Sequence, residues 1–153
     1  MALTNRYDFV ILFDVENGNP NGDPDAGNAP RVDAESGYGY ITDVCLKRKI
    51  RNYVELAKEG VPGYNILIKP DRSLNAKFTE AYEAEGLKTK NKGKNPDDVK
   101  KARDYMCRTY FDVRAFGAVM STGDDPCGIV RGSVQINFAR SISPVNIQDV
   151  TIT

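Results

Sequence analysis

Large apolar side chains alternate most regularly near the beginning of the sequence. In Tyr7–Val15 five of them occupy every second position, and Val10 and Leu12 make the other face largely apolar as well. A strand with two apolar faces is typical of the centre of a sheet that is covered on both sides. We therefore predict a central strand at Tyr7–Val15, and shorter strands at Tyr64–Lys69 and Ile129–Phe138.

Three other stretches have the spacing of amphipathic helices. The first runs from about Thr42, its predicted N-cap, to Glu59. Its apolar stripe, which we expect to face a sheet, consists of Leu46, Ile50, Tyr53 and Ala57. The second helix covers Leu74–Glu85. The third begins at Asn95, which precedes a Pro-Asp-Asp first turn, and ends near Tyr110.

The segment Glu16–Tyr40 is rich in Gly, Asn, Pro and Asp and predicts a long ordered loop after the first strand. Loops of this length are usually functional. The order strand, long loop, helix, strand, helical insertion, strand predicts an α+β fold, with an RRM-like or ferredoxin-like palm and a large helical insertion. A complete sheet of that type needs a further helix and strand, so we expect the fold to be incomplete at its C-terminus.

Composition excludes several classes of function. The 153 residues include 21 basic and 21 acidic side chains but no histidine. A Ser-His-Asp triad, an imidazole base and a histidine-containing zinc site are therefore excluded. The three cysteines are widely spaced, which argues against zinc and against a disulfide framework, and we expect Cys45 and Cys107 to be small buried apolar residues. With no targeting segment and no apolar run of membrane-spanning length, we expect a cytoplasmic protein without a membrane partner.

The neutral total hides a segregated pattern of charge. The charged residues of segment 8–43 are acidic except for Arg31, whereas the first helix carries the basic block Lys47-Arg48-Lys49-Ile50-Arg51. Residues 88–94 form a second basic stretch, which predicts an exposed loop. On the helix, Lys47 and Arg51 lie one turn apart near the positive end of the helix dipole and could bracket a phosphate. An ordinary solvated face is the simpler interpretation of a lone charge run. The adjacent Asn/Gly loop favours a grip on an RNA backbone.

Acidic residues of the loop give two metal hypotheses. Asn19, Asn21, Asp23 and Asp25 alternate as calcium ligands do, but the glycine and glutamate that an EF-hand loop requires are missing downstream. Asp14, together with loop acids, could hold magnesium in a metal-dependent ribonuclease. The spacing of these acids does not require a metal, because turn-forming side chains explain the same composition.

Five separate motifs carry a more specific signal. They are RYDF leading to FDV at 6–15, GNPNGDPDAGN at 18–28, TDVCLKRKIRNY at 42–53, DVRAFGAVM at 112–120, and GSVQ leading to RSI at 132–142. Together they resemble the beginning of the backbone subunit of type I-C CRISPR Cascade complexes, a family of the RAMP superfamily. The resemblance extends over essentially the whole chain.

The resemblance implies a hand-like architecture. Residues 1–153 would form a single RRM-like palm with residues 70–120 as a helical finger insertion, while the thumb and the C-terminal part of the palm would be absent. Copies of such a subunit polymerise as a helical filament along CRISPR RNA, beside other Cascade subunits. They hold the RNA backbone without reading its sequence and present it for pairing with target DNA in antiviral defence.

The resemblance also assigns residues to RNA binding. They lie in the polar loop, at the cap of the first helix and in its basic block, and they are Asn19, Asn21, Thr42, Lys47, Arg48, Lys49 and Arg51. It implies a protein that is not an enzyme and needs no cofactor. Related subunits of type III systems cut target RNA with a loop aspartate, which keeps the metal-dependent ribonuclease as the alternative.

Overall fold

The computed structural model describes residues 4–89 and 95–151, and in these ranges the chain is mixed α+β. Its helices are α1 (Asp43–Ala57), α2 (Leu74–Ala84), α3 (Pro96–Thr109) and α4 (Phe111–Phe116). Its strands are β1 (Gly22–Asp23), β2 (Ala29–Pro30), β3 (Tyr38–Ile41), β4 (Gly117–Met120), β5 (Gly128–Arg131) and β6 (Ala139–Pro144). The α+β class of the predicted fold is thereby confirmed. Contacts divide the chain into two units, of which the first contains the residues up to Ile41 and from Ala139 onward, and the second contains residues 42–138.

The first unit contains two small antiparallel ladders. β1 pairs with β2, and β3 pairs with β6 so that Tyr40 lies opposite Arg140. The ladder is closely packed at Gly22, since a Cβ atom there would lie 1.9 Å from the side-chain oxygen of Asn28 and would force that side chain to move. The predicted loop 16–40 is therefore an ordered excursion that contains short strands of its own.

The predicted central strand at Tyr7–Val15 is wrong in this structure. The segment belongs to no ladder, and its large side chains are exposed, from 48% at Val15 to 87% at Val10. A strand obtains its backbone hydrogen bonds from a neighbouring strand. Among the described residues no strand pairs with this segment, and its exposed side chains have no covering layer.

The second unit has a core built mainly between α2 and α3. Phe78 and Tyr82 lie one turn apart on α2, Ala102 and Met106 lie one turn apart on α3, and all four are essentially inaccessible. This is the one-sided burial expected of amphipathic helices. The hydroxyl of Tyr82 donates to the carbonyl oxygen of Pro126 at 2.7 Å, which satisfies the one polar group that this ring brings into the core.

The bounds of the predicted helices are confirmed to within about two residues. Side chains of Thr42, Ser73 and Asn95 accept backbone N–H groups at the starts of α1, α2 and α3. In the described ranges, no helix combines the length and the apolar character needed to cross a bilayer.

Three details of the predicted packing are wrong. α1 contains no buried residue, and Tyr53 of its predicted stripe is 70% exposed. The strand Tyr64–Lys69 is reduced to an isolated bridge between Asn65 and Tyr110. The strand Ile129–Phe138 is formed only near its beginning, where β5 pairs with β4. The described strands pair only two at a time, so the larger sheet that these patterns predicted is not formed among them.

The cysteines occupy two kinds of environment. Cys127 is fully buried in the core of the second unit, and this burial raises the pKa of its thiol to about 12. Cys45 and Cys107, which we predicted to be buried, are only half-buried. The predicted basic loop at 88–94 falls for the most part outside the described residues.

Candidate nucleic-acid interface

The basic block is carried by a well-defined helix start. Thr42 caps α1, since its hydroxyl oxygen accepts the backbone N–H of Cys45 at 3.3 Å. Asp43 lies in the first turn, and its carboxylate accepts a hydrogen bond from Nζ of Lys47 at 2.7 Å. That hydrogen bond is the largest reason why the pKa of Asp43 is below its ordinary value. Thr42 therefore positions the block, and Asp43 restrains its first lysine.

Lys47 and Arg51 lie on the same flank of α1, as predicted. Nζ of Lys47 is 6.0 Å and the guanidinium carbon of Arg51 is 5.1 Å from the centroid of the Phe116 ring. Both distances are within the range of cation–π attraction. The aromatic ring thus brings the two cations together at one end of α4.

Arg51 is tied to a buried carboxylate. Its Nε donates to Oδ2 of Asp112 at 2.9 Å, and Asp112 is only 1% exposed. The same carboxylate accepts the backbone N–H groups of Leu67 at 2.8 Å and Ile68 at 3.1 Å. A buried charge is tolerated only when it is paired and hydrogen-bonded, and Asp112 has both kinds of partner. Arg51 therefore joins α1 to α4 and to the segment before α2, a structural role that the charge pattern could not reveal.

The remaining two cations of the block point elsewhere. Nη1 of Arg48 donates to the carbonyl oxygen of Ile68 at 2.7 Å, and the side chain is half-buried. Lys49 is exposed. The four cations therefore do not form a single site. Arg51 anchors the fold and Lys47 is restrained beside Phe116. Arg48 borders the segment after Ile68, and Lys49 faces solvent.

The second unit contains basic residues at this place that sequence reasoning missed. Lys69 and Arg72 follow Ile68 and line a cleft beside α1, together with Arg48 and Asn52. Nζ of Lys69 donates to Glu55 at 2.7 Å, and this hydrogen bond is the main reason that the pKa of Lys69 is raised. In the sequence the two cations are isolated, so only the folded arrangement brings them beside the basic helix.

The polar loop residues Asn19 and Asn21 organise their own loop. The side-chain amide of Asn19 donates to the carbonyl oxygen of Asn28 at 2.7 Å, and its oxygen accepts the backbone N–H of Asn21 at 3.2 Å. They belong to the first unit, whereas Thr42 and the basic block belong to the second. The predicted RNA-binding residues are thus distributed over two units, and each group is structured by contacts within its own unit.

The loop acids also serve local structure. Oδ1 of Asp23 accepts the backbone N–H of Asp25 at 3.2 Å and lies 3.4 Å from Nη2 of Arg31. Within residues 4–89 and 95–151, no three Asp, Glu or Cys side chains come together in a group that could hold a metal ion. Asn19 and Asp23 each accept a backbone N–H group two residues ahead, which is the contact that Asx turns use.

Comparison with known proteins decides the family. A family model described as CRISPR-associated protein Cas7 matches residues 5–153. This chain belongs to the Cas7 family. It is also 29% identical, over 121 residues, to the CRISPR-associated protein Cas7 of Haloferax volcanii, in a match that covers 79% of this chain and 34% of that protein. The chain thus spans about a third of the length of the curated Cas7 relative that it matches.

Proposed function

We propose that this Cas7-family chain binds the backbone of CRISPR RNA in a type I-C Cascade complex and presents the RNA for pairing with target DNA. The observation that carries the proposal is the basic block on a capped helix start, where Lys47 is held beside Phe116 and Lys49 faces solvent. Lysines contact phosphates without reading bases, as a subunit that accepts any guide sequence requires.

The proposal includes assembly. Copies of the chain stack along the RNA beside other Cascade subunits, with residues 70–120 acting as a finger inserted in an RRM-like palm. Neighbouring copies need complementary faces, and the acid-rich loop of the first unit, with Asp25 and Glu35 exposed, provides a negative one. No catalytic step is assigned to the chain in this scheme.

RNA binding is tested best with lysines, because Arg51 is part of a buried ion pair whose loss would disturb the fold. We compare the chain with a Lys47→Ala/Lys49→Ala variant on labelled single-stranded CRISPR-type RNA over a salt series. Each lost phosphate contact on a single strand reduces the slope of log K against log[salt] by about 0.7. We expect weaker binding and a slope flatter by about 1.4 if both lysines contact phosphates.

The matched control is Lys100→Ala/Lys101→Ala, which removes two exposed lysines from α3 of the same unit. It should leave both the affinity and the slope unchanged. Equal loss in the two variants would mean that binding depends on total charge rather than on α1. Parallel reactions with magnesium and manganese test the alternative: cleavage of the RNA would overturn the non-enzymatic proposal in favour of a metal-dependent ribonuclease.

A further inference from the structure

A cavity beside the basic helix lies on the flank of α1 that does not carry Lys47. It is an open cleft of about 560 Å³ between α1 and the residues that lead into α2. Its polar walls are Arg48 and Asn52, one turn apart on α1, and Lys69 and Arg72 on the opposite side. Its volume is in the range of small-ligand sites in proteins.

The side chains that line this cleft suit a ligand that is an anion with an apolar part. The lining includes three cations and one amide but no acid, and the apolar side chains of Ile68 and Leu74 line it as well. Arg48 is oriented by its hydrogen bond to the carbonyl oxygen of Ile68. A guanidinium fixed in this way is a preorganised donor for a phosphate.

Acidic side chains outside the lining hold the other two cations in place. Nη2 of Arg72 lies 2.8 Å from Oε2 of Glu80, and Nζ of Lys69 lies 2.7 Å from Glu55 and 3.6 Å from Asp71. Both members of the Arg72–Glu80 pair are about half exposed, with side-chain exposures of 51% and 41%. Exposed ion pairs are weak, so a phosphate could compete with Glu80 for Arg72.

We propose that this cleft holds one nucleotide of a single-stranded RNA. Arg48 and Arg72 contact its phosphate, Asn52 hydrogen-bonds a polar edge of the nucleotide, and the base lies against Ile68 and Leu74. Every base has an apolar face that can contact aliphatic side chains, which suits recognition without sequence preference. The inference rests on the proposed RNA-binding function and adds to it a second contact region, separate from Lys47 and Lys49.

The decisive test uses the two members of one ion pair. Arg72→Ala removes the cation that the nucleotide needs, and Glu80→Gln removes only its competitor, while both variants abolish the same ion pair. We measure the affinity of the full 153-residue chain for a labelled oligouridine by fluorescence anisotropy. Loss of a charged hydrogen bond predicts about tenfold weaker binding for Arg72→Ala, and removal of a weak internal competitor predicts binding about twofold to fivefold tighter for Glu80→Gln.

A purely structural role of the ion pair would change both variants in the same direction, and that result would overturn the inference. Arg131→Ala, at an exposed arginine of β5, is the control and should bind as the parent chain does. Photocrosslinking with 4-thiouridine in the oligonucleotide should label the residues around Ile68 and Leu74 in the parent chain. Absence of that label, with binding intact, would also overturn it.

The outcomes separate the two proposals. If Lys47→Ala/Lys49→Ala weakens RNA binding but Arg72→Ala does not, the RNA-binding function stands and the cleft is excluded from it. If the chain binds no RNA, both proposals are overturned. If polyglutamate displaces the oligouridine from the cleft at equal charge concentration, the site recognises acidic polypeptide rather than a nucleotide, and the inference fails.

Discussion

Two regions of this molecule carry apolar side chains in a regular pattern, but only one of them buries those side chains. In the second unit, α2 and α3 bury Phe78, Tyr82 and Met106 almost completely, whereas every large side chain of Tyr7–Val15 is at least 48% exposed. A helix satisfies its own backbone and needs only one apolar neighbour, which these two helices provide for each other. An extended strand needs a ladder partner, and one with two apolar faces also needs a covering layer on each side. A hydrophobic pattern therefore predicts which face will be covered, but not whether the covering element is formed.

The largest expected effect comes from removing one phenylalanine ring from each of the two regions. Phe78→Ala opens the core of the second unit, and loss of a buried phenylalanine costs about 3–5 kcal/mol of unfolding free energy. Phe9→Ala removes the same atoms from a side chain that is 58% exposed, so its cost should be within about 0.5 kcal/mol. Urea unfolding of both variants, monitored by tyrosine fluorescence, measures the difference. Equal costs would show that Phe9 is buried in solution.

The next effect concerns the polar anchor of the same unit. Asp112→Ala leaves the guanidinium of Arg51 without its partner and two backbone N–H groups without their acceptor. Breaking one side of a buried ion pair costs about 3 kcal/mol or more. The exposed pair Arg6–Asp8 provides the matched control, because Asp8→Ala should cost less than about 1 kcal/mol. A small effect of Asp112→Ala in the same urea series would contradict the anchoring role of Arg51.

The smallest expected effect is a dependence of stability on pH that comes from Asp71 in the second unit. Nζ of Lys77, which is only 1% exposed, donates to Asp71 at 2.6 Å, and this hydrogen bond lowers the pKa of the Asp71 carboxyl from 3.8 to about 2. A lowered carboxyl pKa stabilises the folded state above the ordinary pKa, and the contribution is lost as pH falls through the folded value. The unfolding midpoint of the parent chain should therefore decrease as the pH is lowered from 3.8 to about 2.

Asp71→Asn has no such carboxyl and should show a shallower decline over the same interval. The variant Asp97→Asn, at an exposed acid of the first turn of α3, keeps the Lys77 contact and serves as the control. Identical pH dependence in the parent chain and Asp71→Asn would rule out Asp71 as the group responsible.

The parts that sequence predicts well are those that local residues decide. The starts of α1 and α3 follow from the caps Thr42 and Asn95, whose hydrogen bonds reach only two or three residues along the chain. The ion pair of Arg51 with Asp112 joins residues 61 positions apart, and no local pattern specifies it. Helical spacing is local, so it correctly predicts that Lys47 and Arg51 lie on one flank of α1. It does not predict their contacts with Phe116 and Asp112, which are distant in sequence.

The cleft beside α1 shows the same limit for the candidate site. Arg48 was predicted as part of a basic block, but Lys69 and Arg72 are separated from it by about twenty residues, and the bend after Ile68 brings them to the opposite wall. The Tyr7–Val15 pattern fails for a different reason. Its alternation describes a strand correctly, but a sheet is a property of several strands together.

The buried thiol of Cys127 has a practical consequence. Its sulfur lies among the side chains of α2 and α3, and burial keeps it protonated because its pKa is raised to about 12. Alkylating reagents attack the thiolate, so they can modify this residue only when the two helices separate. Cys45 and Cys107 are half-buried, so part of their surface is already accessible. In a chain that keeps Cys127 as its single cysteine, the rate of alkylation would measure how often the core opens transiently, with no added probe.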